Sequence, residues 1–211
     1  MRGGIRVETK GICYIVGAGE CKKLDFSRAE NDFVIAADGG LCYLKEAGIT
    51  PDLLLGDFDS LGYHPEGALI YPKEKDETDT FLALRYAVAN GYRHVRVYGG
   101  LGGRLDHTLA NVQMLVWAAR RGLDVCLCGS AVTLRAVTDG EIGFPAEMRG
   151  GISVFCMDEH AEGIDLLGLK YTLENGELTN EFPLGVSNEF VGAPSTVRVR
   201  KGTLLIVTDE K

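Results

Sequence analysis

Residues 94–128 read HVRVYGGLGGRLDHTLANVQMLVWAARRGLDVCLC, and this stretch decides the fold class. It predicts a strand over 94–98, a glycine-rich loop, a helix over 105–121 stopped by Gly122, and a second strand over 124–128. Two strands joined through a helix form a βαβ unit, the building block of a parallel sheet. Upstream the same alternation continues, with strands expected at 11–16, 33–37, 53–55 and 68–71. Helices are expected at 41–47, before Gly48, and at 76–90, where Phe81, Leu84 and Val88 share one face ahead of Gly91. Residues 1–130 therefore read as an α/β domain with a mostly parallel, Rossmann-like sheet covered by helices on both faces. From about Val132 the pattern changes to short, closely spaced strands at 133–137, 151–157, 169–172, 196–200 and 203–208. The turn dipeptides Asp139-Gly140, Asn175-Gly176 and Lys201-Gly202 separate them. Residues 131–211 read as a small all-β sandwich domain.

Bulk properties narrow the function. The 211 residues are 45% hydrophobic and 25% charged, ordinary for a globular protein. No apolar run approaches the ~20 residues that span a bilayer, and Met1–Lys10 has no apolar signal core. A cytoplasmic protein with no membrane partner is the expectation. The net charge of −8 argues against a nucleic-acid partner. It is compatible with a polyphosphate bridged by a divalent cation, and with a cationic second substrate. The six cysteines are scattered, and Cys126 and Cys128 lie two apart on one strand, facing the same way; they read as reduced structural thiols.

Ligands of open α/β sheets bind beyond the strand ends, and the loops there carry aspartates: Asp38, Asp57 with Asp59, Asp76 with Asp79, and Asp106. Asp57 and Asp59, at i and i+2 after an apolar strand, suit one hard cation. The alternatives are a polar turn with Asp59 bonding its own backbone, or a dehalogenase-type phosphatase motif, although position 61 is Leu. Asp76 as N-cap and Asp79 in the first turn would equally serve the helix they precede. The loop from Tyr98 to Arg104 holds four glycines, including Gly99 and Gly100, ahead of a helix N-terminus. It suits close approach to phosphate, with Arg104 as a charged fork, or else it is only a tight turn. His107 and Asn111 follow one turn apart and are candidates to face this loop. Several carboxylates, a basic group and a glycine loop together suit Mg²⁺-dependent phosphoryl-type transfer.

Four segments, Ala37-Asp-Gly-Gly40, Gly56-Asp-Phe-Asp-Ser60, Asp76-x-Thr-Asp79 and Gly99-Gly-x-x-Gly-Arg-x-Asp-His107, resemble the motifs of thiamine pyrophosphokinases in order and spacing. Gly168-Leu-Lys-Tyr-x-Leu173 and Val186-Ser-Asn-Glu189 look like that family's thiamine-side motifs. The resemblance covers roughly residues 12–208. It implies pyrophosphoryl transfer from ATP to the hydroxyl of thiamine, with Mg²⁺ as cofactor. It also implies a homodimer whose thiamine site lies at the subunit interface. By motif position Asp38, Asp57, Asp59 and Asp79 are the metal ligands, with Asp57, Asp59, Asp79 and Arg104 catalytic. Asp38, Gly39, Gly99, Gly100, Arg104, Asp106, His107 and Asn111 lie on the ATP side, and Tyr171, Ser187 and Asn188 on the thiamine side. Tyr171 stands where some relatives carry tryptophan, an aromatic wall for a thiazolium cation. Another Mg²⁺-dependent phosphotransferase or phosphatase, or a non-catalytic nucleotide-binding module, are the alternatives.

Overall fold

The structure is a computed structural model that describes residues 10–59 and 62–209. Ser60, which closes the Gly56–Ser60 motif, Leu61 and the segment before Lys10 lie outside the described residues. In chain order the elements are β1 (Cys13–Val16), β2 (Phe33–Ala37), α1 (Gly40–Glu46), β3 (Leu53–Gly56), β4 (Leu69–Ile70), α2 (Asp79–Ala89), β5 (His94–Tyr98), α3 (Leu105–Ala119) and β6 (Asp124–Cys128). There follow β7 (Val132–Thr138), β8 (Glu141–Phe144), β9 (Gly151–Cys156), β10 (His160–Leu167), β11 (Leu173–Thr179), β12 (Asn188–Glu189), β13 (Ser195–Arg198) and β14 (Thr203–Asp209).

Ten strands make one mixed sheet in the order β12-β9-β14-β7-β6-β5-β1-β2-β3-β4, and β11-β10-β13-β8 make a separate antiparallel sheet. Pairing is parallel from β6 to β4 and antiparallel from β6 through β7 to β12. Helices α2 and α3 cover one face, over Ile15, Ile35, Val95, Val97 and Leu127. Phe81 of α2 meets Trp117 of α3 edge-on at 5.2 Å. The opposite face, Tyr14, Val16, Val34 and Ala36, packs under Leu41 and Leu44 of α1.

The change of pattern at Val132 marks a change of strand direction, and the sheet itself continues. Gly129 N–H donates to the Val132 carbonyl at 2.9 Å, turning β6 straight into antiparallel β7. Strand β14 explains how one sheet serves two cores. Its Leu205 joins the core under the helices, while Leu204 and Ile206 join a second core with Ile152, Val154, Ile164 and Val197 beneath the four-stranded sheet. Alternate side chains go to opposite faces, so a strand buried on both reads as an unbroken apolar run.

Some expectations need correction. Helix α2 begins at Asp79, three residues later than expected, and its N-cap is Thr78, whose Oγ1 accepts from Phe81 N–H at 3.2 Å; Asp76 does not cap it. The strand expected at 169–172 is only a bridge between Leu169 and Phe190. Asn175-Gly176, taken as a turn, lies within β11 at a register irregularity against β10. Of the cysteines, Cys13, Cys126 and Cys156 are buried but Cys42 is exposed; all are free, and Cys126 and Cys128 do share a face, with Sγ atoms 3.7 Å apart. Among the described residues no helix is long and apolar enough to cross a membrane.

Candidate active site

The chain runs from β1 outward through β2, β3 and β4, then returns to place β5 and β6 on the other side of β1. Strand order therefore reverses between β1 and β5, and the crevice beyond their carboxyl ends is where such sheets take ligands. Two glycine loops meet there. Gly17 N–H donates to Tyr98 O and Gly19 N–H to Gly99 O, each at 2.8 Å. Gly99 has φ 62°, and a Cβ on it would fall on the Gly17 carbonyl, so both loops depend on absent side chains.

Three carboxylates converge on the neighbouring strand ends. Oxygens of Asp38, after β2, and of Asp57 and Asp59, after β3, lie within 4.8 Å of one another. Their backbone is unusual: Asp38 has φ 49° and Phe58 φ 55°. A left-handed Phe is a conformational outlier, and Phe58 is only 1% exposed, so burial of its ring holds the turn between the two aspartates. Asp59 N–H donates to Asp57 Oδ1 at 3.2 Å, so the turn-type hydrogen bond and the convergence occur together.

Asp79, first residue of α2, adjoins this cluster through Lys75. The Lys75 Nζ lies 3.1 Å from Asp79 Oδ1 and 3.2 Å from Asp57 Oδ2, with all three side chains no more than 20% exposed. Asp79 Oδ1 is buried without an aligned hydrogen bond, so the ammonium is an ion-pair partner to it. Burial pushes the Asp79 carboxyl above the usual range, and Lys75 opposes this without outweighing it. Burial would push Lys75 down, but its contacts with Asp79 and Asp57 leave it above its ordinary value. Lys73 pairs with Asp59 at the exposed rim. Sequence reasoning missed both lysines, although the alternation Lys73-Glu-Lys75 just ahead of Asp76 was a usable signal.

The donor set suits a hard divalent cation. Every group is a carboxylate oxygen, the ligand type that Mg²⁺ prefers, and the buried Asp79 Oδ1, paired with the Lys75 ammonium, stands beside them. Arg104 and Asp106, exposed at the α3 N-terminus, form a two-bond pair at 3.2 and 2.6 Å. That contact holds the Asp106 carboxyl below its usual range. His107 is exposed beside them. Asn111 is buried, and its Nδ2 donates to Gly100 O at 2.7 Å. It thus braces the glycine loop with its own amide.

The remaining sequence candidates sit at the far end of the sheet. Asn188 is buried, and its Oδ1 accepts from Tyr171 N–H and Glu189 N–H, each at 2.9 Å, while Nδ2 donates to Tyr171 O at 2.6 Å. The amide is consumed in fixing the backbone that presents the Tyr171 ring, which is 60% exposed. Ser187 is exposed at φ 63°, its N–H held by Ser153 Oγ at 3.1 Å. From β12 to β3 there are eight strand-to-strand steps. At ~4.8 Å each this is roughly 38 Å along the sheet. The carboxylate turn after β3 and the Tyr171–Asn188 region of one chain are thus set well apart along the sheet.

Comparison with known proteins gives consistent matches. Residues 27–127 match the family model for the thiamin pyrophosphokinase catalytic domain, and residues 141–204 that for the thiamin pyrophosphokinase vitamin B1 binding domain. The thiamine pyrophosphokinase of Bacillus subtilis (strain 168) is 30% identical over 187 residues, covering 84% of this chain and 87% of its own. A crystal structure of the Bacillus subtilis protein superposes with TM-score 0.85 at 28% identity, over 95% of this chain and 100% of that one. The thiamin pyrophosphokinase structure from Geobacillus thermodenitrificans gives 0.83 at 29% identity, over 95% and 98%.

Proposed function

The chain belongs to the thiamin pyrophosphokinase family, and from that premise we propose how its residues move a pyrophosphoryl group from ATP to thiamine. The observation that carries the reading is the convergence of Asp38, Asp57 and Asp59 beside the strand-order reversal. In this reading the parallel half of the sheet is a Rossmann-like nucleotide unit.

Asp38, Asp57, Asp59 and Asp79 would hold Mg²⁺, which when bound offsets charge on the polyphosphate. Backbone amides of the Gly99–Gly103 loop and the α3 N-terminus face the phosphates, with Gly39 at the Asp38 turn. Arg104 turns from Asp106 to phosphate oxygens, a bidentate partner it binds equally well. The thiamine hydroxyl attacks the β-phosphorus; the bond to the α,β-bridging oxygen breaks and AMP leaves. The hydroxyl proton passes to a carboxylate of this group, with Asp79 at the start of α2 the candidate acceptor. Positioning supplies most of the acceleration.

The long separation within one chain supports a homodimer in which the Tyr171–Asn188 region of one protomer completes the other's site. Apolar Phe182, Leu184 and Val186, exposed at alternate positions beside that region, are a surface that asks for cover. Tyr171 is the aromatic face for the thiazolium.

The test is incubation with ATP, Mg²⁺ and thiamine followed by chromatography. Thiamine pyrophosphate and AMP in equal amounts, both lost on chelation, are the expected products. ADP or free phosphate in place of AMP would assign the site to a different phosphotransfer reaction.

A further inference from the structure

On the strength of that function, we propose that Lys75 is a built-in counter-ion, which holds the carboxylate cluster until a metal–nucleotide complex arrives and then transfers to the polyphosphate. The ammonium lies within 3.2 Å of carboxylates from two separate elements, the β3 loop and the start of α2. It also donates to Pro72 O at 3.2 Å, which keeps the head group over the cluster. Its side chain is 14% exposed, against 76% for Lys73 on Asp59, so Lys75 is the lysine that competes for a cation position. Three clustered aspartates, with Asp79 beside them, face these two lysines. The pair with Asp57 is half-buried, so salt screens it less than a fully exposed ion pair.

One thermodynamic consequence follows. A metal ion arriving alone must take Asp57 and Asp79 from a half-buried ammonium that is then left with the Pro72 carbonyl. When it arrives with a nucleotide, the displaced ammonium gains a phosphate. Metal and nucleotide therefore bind with positive coupling through Lys75, and that coupling is reciprocal.

The experiment is titration with Mn²⁺, followed by the electron paramagnetic resonance signal of the free ion, with and without α,β-methylene-ATP. Wild type is expected to bind Mn²⁺ at least ~10-fold more tightly with the analogue than without it, a modest coupling. Lys75→Met should bind Mn²⁺ alone roughly 10-fold more tightly than wild type and lose most of the coupling. Lys75→Arg should keep it. Thermal melting supplies a second measure. Lys75→Met should melt lower than wild type in chelator and regain the difference in Mn²⁺, because the metal replaces the missing charge. Lys75→Gln serves both measurements should the methionine variant not fold. Unchanged or weaker binding of Mn²⁺ alone by a folded variant would overturn the proposal. No binding by wild type even with the analogue would instead overturn the metal-site assignment beneath it.

Discussion

Two inactive variants of this protein should restore activity to each other if, as proposed, each site is divided between two chains. Asp57→Asn removes a carboxylate at the β3 end, and Tyr171→Lys puts a cation where thiamine's cation should rest. Within one chain these positions belong to sites eight strand steps apart, roughly 38 Å along the sheet and more than the ~30 Å length of a 20-residue helix. If each site takes its carboxylates from one protomer and its aromatic wall from the partner, a hybrid dimer has one doubly damaged site and one intact site. Random exchange makes about half of all dimers hybrid, so about a quarter of all sites should be intact in an isologous assembly. The assay mixes the purified variants in equal amounts, allows exchange under mild denaturant, dilutes, and follows AMP release. Recovery near a quarter of wild-type activity is expected. If both variants are silent alone and remain silent after exchange shown by mass spectrometry, each site lies within one chain.

Asn188→Ala should act first on stability. It strands the Tyr171 N–H and C=O and frees Glu189 N–H, so a loss of about 2–4 kcal/mol in urea melts is expected, with a raised KM for thiamine. A raised KM with unchanged stability would mean the amide contacts substrate directly. At Phe58 the usual ranking of alanine above glycine should invert. Both substitutions lose the buried ring, about 3–5 kcal/mol, but only glycine relieves the left-handed backbone at φ 55°. Glycine less stable than alanine, by the ordinary ~1 kcal/mol, would show that the backbone there is not strained. Gly99→Ala should abolish turnover while leaving a folded protein, because the two glycine loops would be forced apart; retained kcat would remove that loop from the phosphate site.

How much of this was legible in the sequence depended on how local the signal was. The βαβ region was readable because periodicity, glycine stops and β-branched runs are properties of short segments; β5 and β6 fall where expected. The antiparallel half was harder. Strand β10 carries Gly163 at φ 65° and alternates charged with apolar residues irregularly, so no clean period of two appears. Asn175-Gly176 has the chemistry of a turn, and Asn175 is indeed left-handed at φ 50°. What makes it a strand irregularity is a distant side chain: Asp165 Oδ1 accepts from Asn175 N–H at 2.7 Å and keeps the chain in the sheet. Asn188 illustrates the same limit in the candidate site. Its place in a motif was evident, but only the fold reveals that its amide is spent on Tyr171.

The left-handed residues tie these strands of argument together. Five non-glycine residues among those described have positive φ: Asp38, Phe58, Asp139, Asn175 and Ser187. Asp38, Asp139 and Asn175 need no further cause, since aspartate and asparagine tolerate that conformation in turns. The other two, Phe58 and Ser187, lie in the carboxylate turn and beside Asn188, at the two halves of the proposed composite site. Each such residue costs of the order of 1–3 kcal/mol and persists only where surrounding packing enforces it. At Phe58 a buried aromatic ring offsets the strain, and the turn it stabilises brings Asp57 and Asp59 within 4.8 Å of each other and of Asp38. Like charges at that range repel, so the fold spends stability twice to assemble them, once on the backbone and once on the charges. Lys75 limits the second expense while no cation is bound, which is why a half-buried lysine and a strained phenylalanine belong to the same design.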